Sequence, residues 1–425
     1  MSELDLIVHG AGAVVTPLGQ DARGGDRFGE VEQTTGAAVA CDGGRIVAIG
    51  PEAELRKGVH FRDELDARGG LIVPGFIDAH THPVFLGTRE DEFEMRNAGR
   101  SYVDISRSGG GILASVRGVR DSSSEVLLKA LLRRLDRFLQ LGTTTVEAKT
   151  GYGLTPEDEL KCLRVIEAAN ELHPVDLVPT FLGAHDFPPE YKDRPQAYVD
   201  LLVEEMLPAV AQSELAEYCD IFTEGHVFDL DSSRRILSRA ADLGLGLRLH
   251  VDQLTPLGGA QLAAELGAQS ADHLEHVSEA GIDALAQAQV IPVLCPLVPL
   301  YLGETQEAPG RRMVSAGLAP AIATDFNPGS CYTQSLPEVL SWAALRFGFT
   351  AAESLCGATL NAACSLGRGA RLGTVEVGKD ADVVVLDLPN LTHLTYELGR
   401  SPVAAVVKSG ATVFQRRDGL NDSAG

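Results

Sequence analysis

Basic side chains are scarce in this sequence. Its 36 lysines and arginines face 59 aspartates and glutamates, a formal net charge of −23, and the resulting field repels nucleic-acid backbones and anionic membranes. Any anionic ligand must therefore be captured by a local cation. Also missing is an uninterrupted apolar run of membrane-spanning length, and Met1-Ser-Glu-Leu-Asp5 lacks the basic and apolar segments of a signal peptide. A soluble, cytoplasmic chain with neither a nucleic-acid nor a membrane partner is expected. The seven cysteines (Cys41, Cys162, Cys219, Cys295, Cys331, Cys356 and Cys364) are odd in number and form no C-x-x-C pair. That pattern fits reduced, mostly buried thiols better than a disulfide framework. No repeat or low-complexity stretch interrupts the chain. What is present is an ordinary globular composition, 44% hydrophobic and 22% charged over 425 residues, enough to bury a large core.

The two ends of the chain share a texture. Residues 4–8, 37–41 and 45–50 read as short strands, with Asp42-Gly-Gly44 as a hairpin turn, and the stretches 373–386 and 404–410 repeat this β-rich pattern. The two ends are expected to meet in one small sandwich. Between them, eight apolar strand-like runs (76–82, 143–149, 177–185, 218–224, 245–251, 270–274, 290–296 and 319–326) alternate with amphipathic helical stretches. Eight parallel strands separated by helices close into a (β/α)₈ barrel. The expected division is 1–69 and 367–425 for the two parts of the sandwich, and 70–366 for the barrel. The Gly- and Ser-rich stretch 99–121 follows the first strand and reads as a mobile loop over the barrel mouth.

The strongest chemical signal is Pro74-Gly-Phe-Ile-Asp-Ala-His-Thr-His82. Alternate strand residues share a face, so His80 and His82 point together, spaced to grip one cation, with Asp78 on the same face. Other polar residues end later runs: His250, His273 and Asp325. Singly, each reads as a satisfied core or rim residue. In a barrel, however, all strand C-termini converge on one mouth, where two histidines from strand one, one from strand five and an aspartate from strand eight make an N₃O metal set with room for water.

These residues resemble the amidohydrolase superfamily and, within it, the imidazolonepropionase family. General markers are 74–82 and 373–382; narrower ones are Phe85-Leu-Gly-Thr-Arg89, Lys149-Thr-Gly-Tyr-Gly-Leu154, Phe181-Leu-Gly-Ala-His185 and Ala323-Thr-Asp-Phe-Asn-Pro-Gly-Ser330. The likeness spans nearly the whole chain. It implies that His80, His82, His250 and Asp325 bind one Zn²⁺ or Fe³⁺, and that Arg89, Tyr152, His185, Gln253, Asn327, Gly329 and Ser330 contact substrate or product. It also ranks His273 above His276 for a catalytic role.

Read from the residues alone, Arg89 suits a carboxylate because its fork donates two charge-assisted hydrogen bonds. The bland alternative is a surface ion pair with Glu90, Asp91 or Glu92. For Tyr152 and His185 the alternative is ordinary buried packing, and for Gly329 and Ser330 a plain Pro-Gly turn, although that turn also has backbone N–H groups to offer an anion. His226 lies near the end of strand four, where some relatives carry a metal-binding lysine or glutamate. Lysine ends strand two here instead, as Lys149, so one metal is expected. His9, His60, His173 and His393 read as surface or scaffold.

The implied reaction opens 4-imidazolone-5-propanoate to N-formimidoyl-L-glutamate, with a metal-held hydroxide attacking the ring carbonyl, Asp325 moving the proton and His273 stabilising the oxyanion. The nearest rival is a purine or pyrimidine deaminase, whose His-x-x-Glu would shuttle protons. This chain has His250-Val-Asp-Gln253, and an amide cannot do that work. A non-catalytic scaffold is the remaining alternative, and a homodimer is left open.

Overall fold

The computed structural model describes residues 2–100 and 110–416. Eight parallel strands run in sequence order, each hydrogen-bonded to the next: Phe76–Asp78, Thr143–Lys149, Asp176–Ala184, Tyr218–Thr223, Gly246–Val251, Ser270–His273, Ile291–Leu294 and Ala321–Ile322. These are the first to eighth barrel strands below. The first and last meet past their regular ends, where Thr81 bridges Phe326 in parallel, His82 N–H donates to the Phe326 carbonyl at 2.9 Å and Asp325 N–H donates to the His80 carbonyl at 3.1 Å. That seam closes the barrel at the residues expected to carry chemistry.

The strands are buried on both faces, as parallel strands covered by helices must be; all seven residues of Thr143–Lys149 are buried. Covering helices follow from caps and stripes. Leu230–Asp242 starts where the Asp229 side chain accepts from Ser232 N–H, and buries Ser233, Ile236, Leu237 and Ala240, spaced to share one face. Pro156–Leu172 and Glu279–Ala288 begin in the same way at Thr155 and Ser278.

Two small sheets lie beside the barrel. One has the order Arg45–Pro51, Ala37–Asp42, Ser2–His9, Val59–Asp66; the other runs Ala411–Gln415, Val403–Lys408, Val383–Leu386, Leu71–Pro74, Ala13–Thr16, Glu32–Thr35. The second thus interleaves both ends of the chain, Ile72 lying opposite Val385. Leu6, Val8, Val39 and Ile46 from the first sheet pack in one cluster with Ile72, Val383, Val385 and Val407 from the second. Six of the seven cysteines are buried and all are free.

The stretch expected as a loop over the mouth differs. Residues 101–109 lie outside the described residues, but Ile112–Arg120 is a helix. Its Ser115, Val116 and Val119 are buried at helical spacing, a periodicity obscured by the glycines that precede it. Among the described residues no helix is long and apolar enough to cross a membrane.

Candidate active site

The regular first strand ends at Asp78, whose carboxylate accepts from the Thr324 N–H at 3.0 Å and hydroxyl at 2.6 Å. Asp78 therefore braces the eighth strand instead of joining the histidines. Beyond it, four side chains converge. The Nε2 atoms of His80 and His82 are 3.3 Å apart, and those of His82 and His250 are also 3.3 Å apart. Asp325 Oδ1 lies 3.4 Å from His80 Nε2 and 3.3 Å from His82 Nε2.

The outer nitrogens explain why the inner ones face each other. His80 Nδ1 lies 2.6 Å from Asp272 Oδ2, and His250 Nδ1 lies 3.1 Å from Asp220 Oδ1. A carboxylate at Nδ1 holds a proton there and orients the ring so that Nε2 points inward, as around bound metal ions. Burial drives His250 down to about 3 and His82 well below its ordinary value, toward the neutral form that binds a cation. For His80, burial and then Lys149 push downward, but Asp272 and Asp325 outweigh them and bring it up to about 9. Asp325 resists its burial through His80 and His82 and stays well below the usual carboxylate range. Among the described residues its buried Oδ1 has no hydrogen-bond partner of good geometry. Three inward nitrogens and an orphaned carboxylate oxygen are the donor set of a divalent metal; His80, His82 and His250 make one such group, and His80, His273 and Asp325 another.

Beneath them lies a sealed ionic floor. Lys149 Nζ sits 2.8 Å from Glu147 Oε1 and 2.7 Å from Asp220 Oδ2. Arg248 donates to the carbonyls of Ser365 and Ala79, both at 2.8 Å, and to Asp272 Oδ2 at 3.4 Å. All five charged side chains are 0% exposed. The carboxylates that steady two imidazoles are themselves steadied by buried cations. Sequence reasoning passed over Glu147, Asp220, Arg248 and Asp272, although a charge inside an apolar strand, as in Leu247-Arg-Leu249, was a usable signal.

Above the four side chains opens a cavity of about 1020 Å³. His82, Arg89, Tyr152, His185, His250, Gln253, His273, Asp325, Asn327, Gly329 and Ser330 line it, while His80 lies fully buried behind. Every expected site residue is therefore at or under one cavity. His226 and His276 line it as well, whereas His9 pairs with Glu52 and Glu64, and His393 with Glu397.

Arg89 combines both readings of its sequence. It faces the cavity, and its Nη2 donates to Glu92 Oε2 at 2.7 Å, but both partners are nine-tenths buried. Among the described residues its buried Nε has no hydrogen-bond partner. A Cβ on Gly329 would lie 2.2 Å from Arg89 Nη1, so any side chain there would push the guanidinium out of this position. The Pro-Gly turn differs from expectation in one respect. The N–H groups of Gly329 and Ser330 donate to Asn327 Oδ1 at 2.8 and 2.7 Å, which removes them as donors to an anion.

His185 Nδ1 lies 2.9 Å from the Gly151 carbonyl, and burial brings the ring down to about 4. It is a neutral imidazole whose Nε2 is left to accept from a ligand. Burial pushes the Tyr152 phenol up, which keeps it a donor.

The Amidohydrolase family profile matches residues 71–413, and the profile of the Imidazolonepropionase-like composite domain of bacteria matches residues 37–57. An imidazolonepropionase of Symbiobacterium thermophilum is 47% identical over 417 residues, 97% of this chain and 98% of that one. One from Solibacter usitatus is 48% identical over 374 residues, 88% of this chain and 90% of the relative. Among solved structures, an adenosine deaminase from Xanthomonas campestris with bound zinc aligns with a TM-score of 0.70 at 22% identity, covering 97% of this chain and 93% of the other. A guanine deaminase from E. coli gives 0.69 at 16%, covering 97% and 100%. These two likenesses concern the fold, whereas the full-length relatives decide the family. The chain belongs to the amidohydrolases and, among them, to the imidazolonepropionase family.

Proposed function

We propose that this chain hydrolyses the ring amide of 4-imidazolone-5-propanoate to give N-formimidoyl-L-glutamate. The observation that carries this reading is one cavity holding a metal-shaped donor set, a buried arginine with an open edge, and a neutral acceptor imidazole. His80, His82, His250 and Asp325 would hold one metal ion, zinc or iron. When bound, it supplies Lewis acidity and makes water nucleophilic near neutral pH.

The chain's own groups do the rest. Arg89 receives the propionate on its Nε edge, and Glu92 fixes the fork from the other side. His185 accepts from a ring N–H through Nε2, Tyr152 donates through its hydroxyl, and Gln253 pairs with the ring through its amide. Water adds its oxygen to the ring carbonyl carbon. Asp325 takes one proton from the water and returns it to the ring nitrogen as the C–N bond breaks, and the new carboxylic acid releases the second to solvent, leaving a carboxylate and an N-formimidoyl group. His273, within reach of Asp325 and His80, donates to the carbonyl oxygen while charge builds there. The Gln253 side chain cannot carry the proton that deamination requires.

The test is to incubate the purified protein with freshly generated imidazolone propanoate and follow loss of the ring absorbance, with metal content measured on the same sample. Ring opening with about one metal equivalent per chain supports the reading. Ammonia release from guanine or cytosine at a comparable rate overturns it.

A further inference from the structure

Glu159 is fully buried, yet its partners are backbone amides. Its Oε1 accepts from Gly153 N–H at 2.8 Å, Leu154 N–H at 2.9 Å and Gly151 N–H at 3.2 Å, and Oε2 lies 3.1 Å from that same Gly151 nitrogen. The residue stands in the first turns of Pro156–Leu172, and the amides belong to the loop joining the second barrel strand to that helix.

The loop is bent into conformations that an unanchored chain avoids. Gly151 has φ +103° and Leu154, a branched side chain, has φ +54°, the kind of backbone that persists only when its surroundings hold it. A Cβ at Gly153 would lie 2.6 Å from the Glu159 nitrogen, so the loop packs directly on the helix that carries its anchor. The bend also has a product. It presents Tyr152 to the cavity, 5.3 Å between ring centres from His185, and turns the Gly151 carbonyl to His185 Nδ1 at 2.9 Å. A Cβ at Gly151 would lie 2.9 Å from that nitrogen.

We propose that Glu159 is a positioning residue for the reaction: by gathering the amides of Gly151, Gly153 and Leu154 it aims Tyr152 and, through the Gly151 carbonyl, fixes the Nδ1–H tautomer of His185. The carboxylate suits this task because it only accepts. Glutamine would keep one acceptor oxygen for Gly153 and Leu154 but turn an NH₂ toward another donor. The inference rests on the cavity being the substrate site, and it adds a control point outside the cavity that acts on two side chains from different strands.

The test is a mutant cycle on the metal-loaded enzyme with imidazolone propanoate, built from Glu159→Ala, the pair Tyr152→Phe with His185→Gln, and the combination of all three. Glu159→Ala is expected to keep wild-type metal content, lower kcat/KM about tenfold or more with most of the change in KM, and cost under about threefold once Tyr152 and His185 are replaced. Glu159→Gln should recover part of the loss. If Glu159→Ala does not fold, the same cycle is run with Glu159→Gln. An equal penalty in both backgrounds, or no penalty in either, overturns the proposal while leaving the cavity assignment intact. Unchanged kcat/KM in the Tyr152→Phe, His185→Gln pair overturns the cavity assignment and the proposal together.

Discussion

The floor of the barrel mouth and its rim are both built on carboxylates, with opposite kinds of partner. On the floor, Asp220 and Asp272 stand between an imidazole and a buried cation, Lys149 or Arg248. On the rim the partners are amides. Glu159 holds three from the loop after the second strand, and Asp252 accepts from Gly258, Gly259 and Ala260 at 2.8, 3.1 and 3.0 Å. Glu224 accepts from the N–H groups of Leu254 and Thr255 and from the Thr255 hydroxyl. Asp220 and Asp272, buried among strands, are neutralised by other charges. A charge at a loop base can be satisfied by the loop's own N–H groups, which fixes the loop in return.

This contrast breaks most sharply at Lys149. Lys149→Met takes the ammonium from Asp220 and leaves Glu147 with only the more distant Arg248, 3.8 Å away, and a stability loss of about 3–5 kcal/mol is expected, read as a lower denaturation midpoint or as insoluble protein. Wild-type stability would show that the floor tolerates an unpaired charge. Asp272→Asn is milder because the fold keeps an isosteric group, but His80 loses the acceptor that orients it; metal affinity should fall about ten- to a hundredfold, measured by chelator competition. Arg89→Lys keeps the charge and loses the fork, so KM should rise about tenfold with a smaller change in kcat, and an unchanged KM would place the propionate elsewhere. On the rim, Asp252→Asn retains one acceptor for the three amides and should cost about 1–2 kcal/mol by thermal melt. Least of all, Arg312→Ala removes an exposed pair with Glu279 and should move stability by under about 0.5 kcal/mol.

The same contrast explains what could be read from the sequence. Strand runs and helices were legible because burial imposes a local apolar rhythm, and His80-Thr-His82 was legible because both ligands sit two residues apart on one strand. His250 and Asp325 needed the barrel to bring them in. The floor stayed hidden: Asp272 meets His80 across 192 positions and Arg248 meets the Ser365 carbonyl across 117, so no spacing rule links them. Glu159 and its amides lie within eight positions of each other, yet a glutamate in the first turn of a helix reads as an ordinary favourable charge. The bonds from the Gly329 and Ser330 amides to Asn327 were hidden for a related reason, since a Pro-Gly turn gives no sign that Asn327 folds back onto it. The helix Ile112–Arg120 was lost behind the glycines at 109–111.

The six-stranded sheet imposes an order of assembly. Leu71–Pro74 enters it between Ala13–Thr16, already synthesised, and Val383–Leu386, which follows the whole barrel. Until that late strand arrives, Ile72 and Val73 present an apolar edge to solvent with unpaired backbone groups, the kind of surface that recruits other chains. Closing the edge needs contacts between residues as distant in sequence as Ile72 and Val385, and such contacts form slowly because the intervening chain must first be ordered. The growing polypeptide therefore carries an unpartnered apolar strand throughout synthesis of the barrel, and truncation before Val383 would leave its edge toward Val383–Leu386 without a partner.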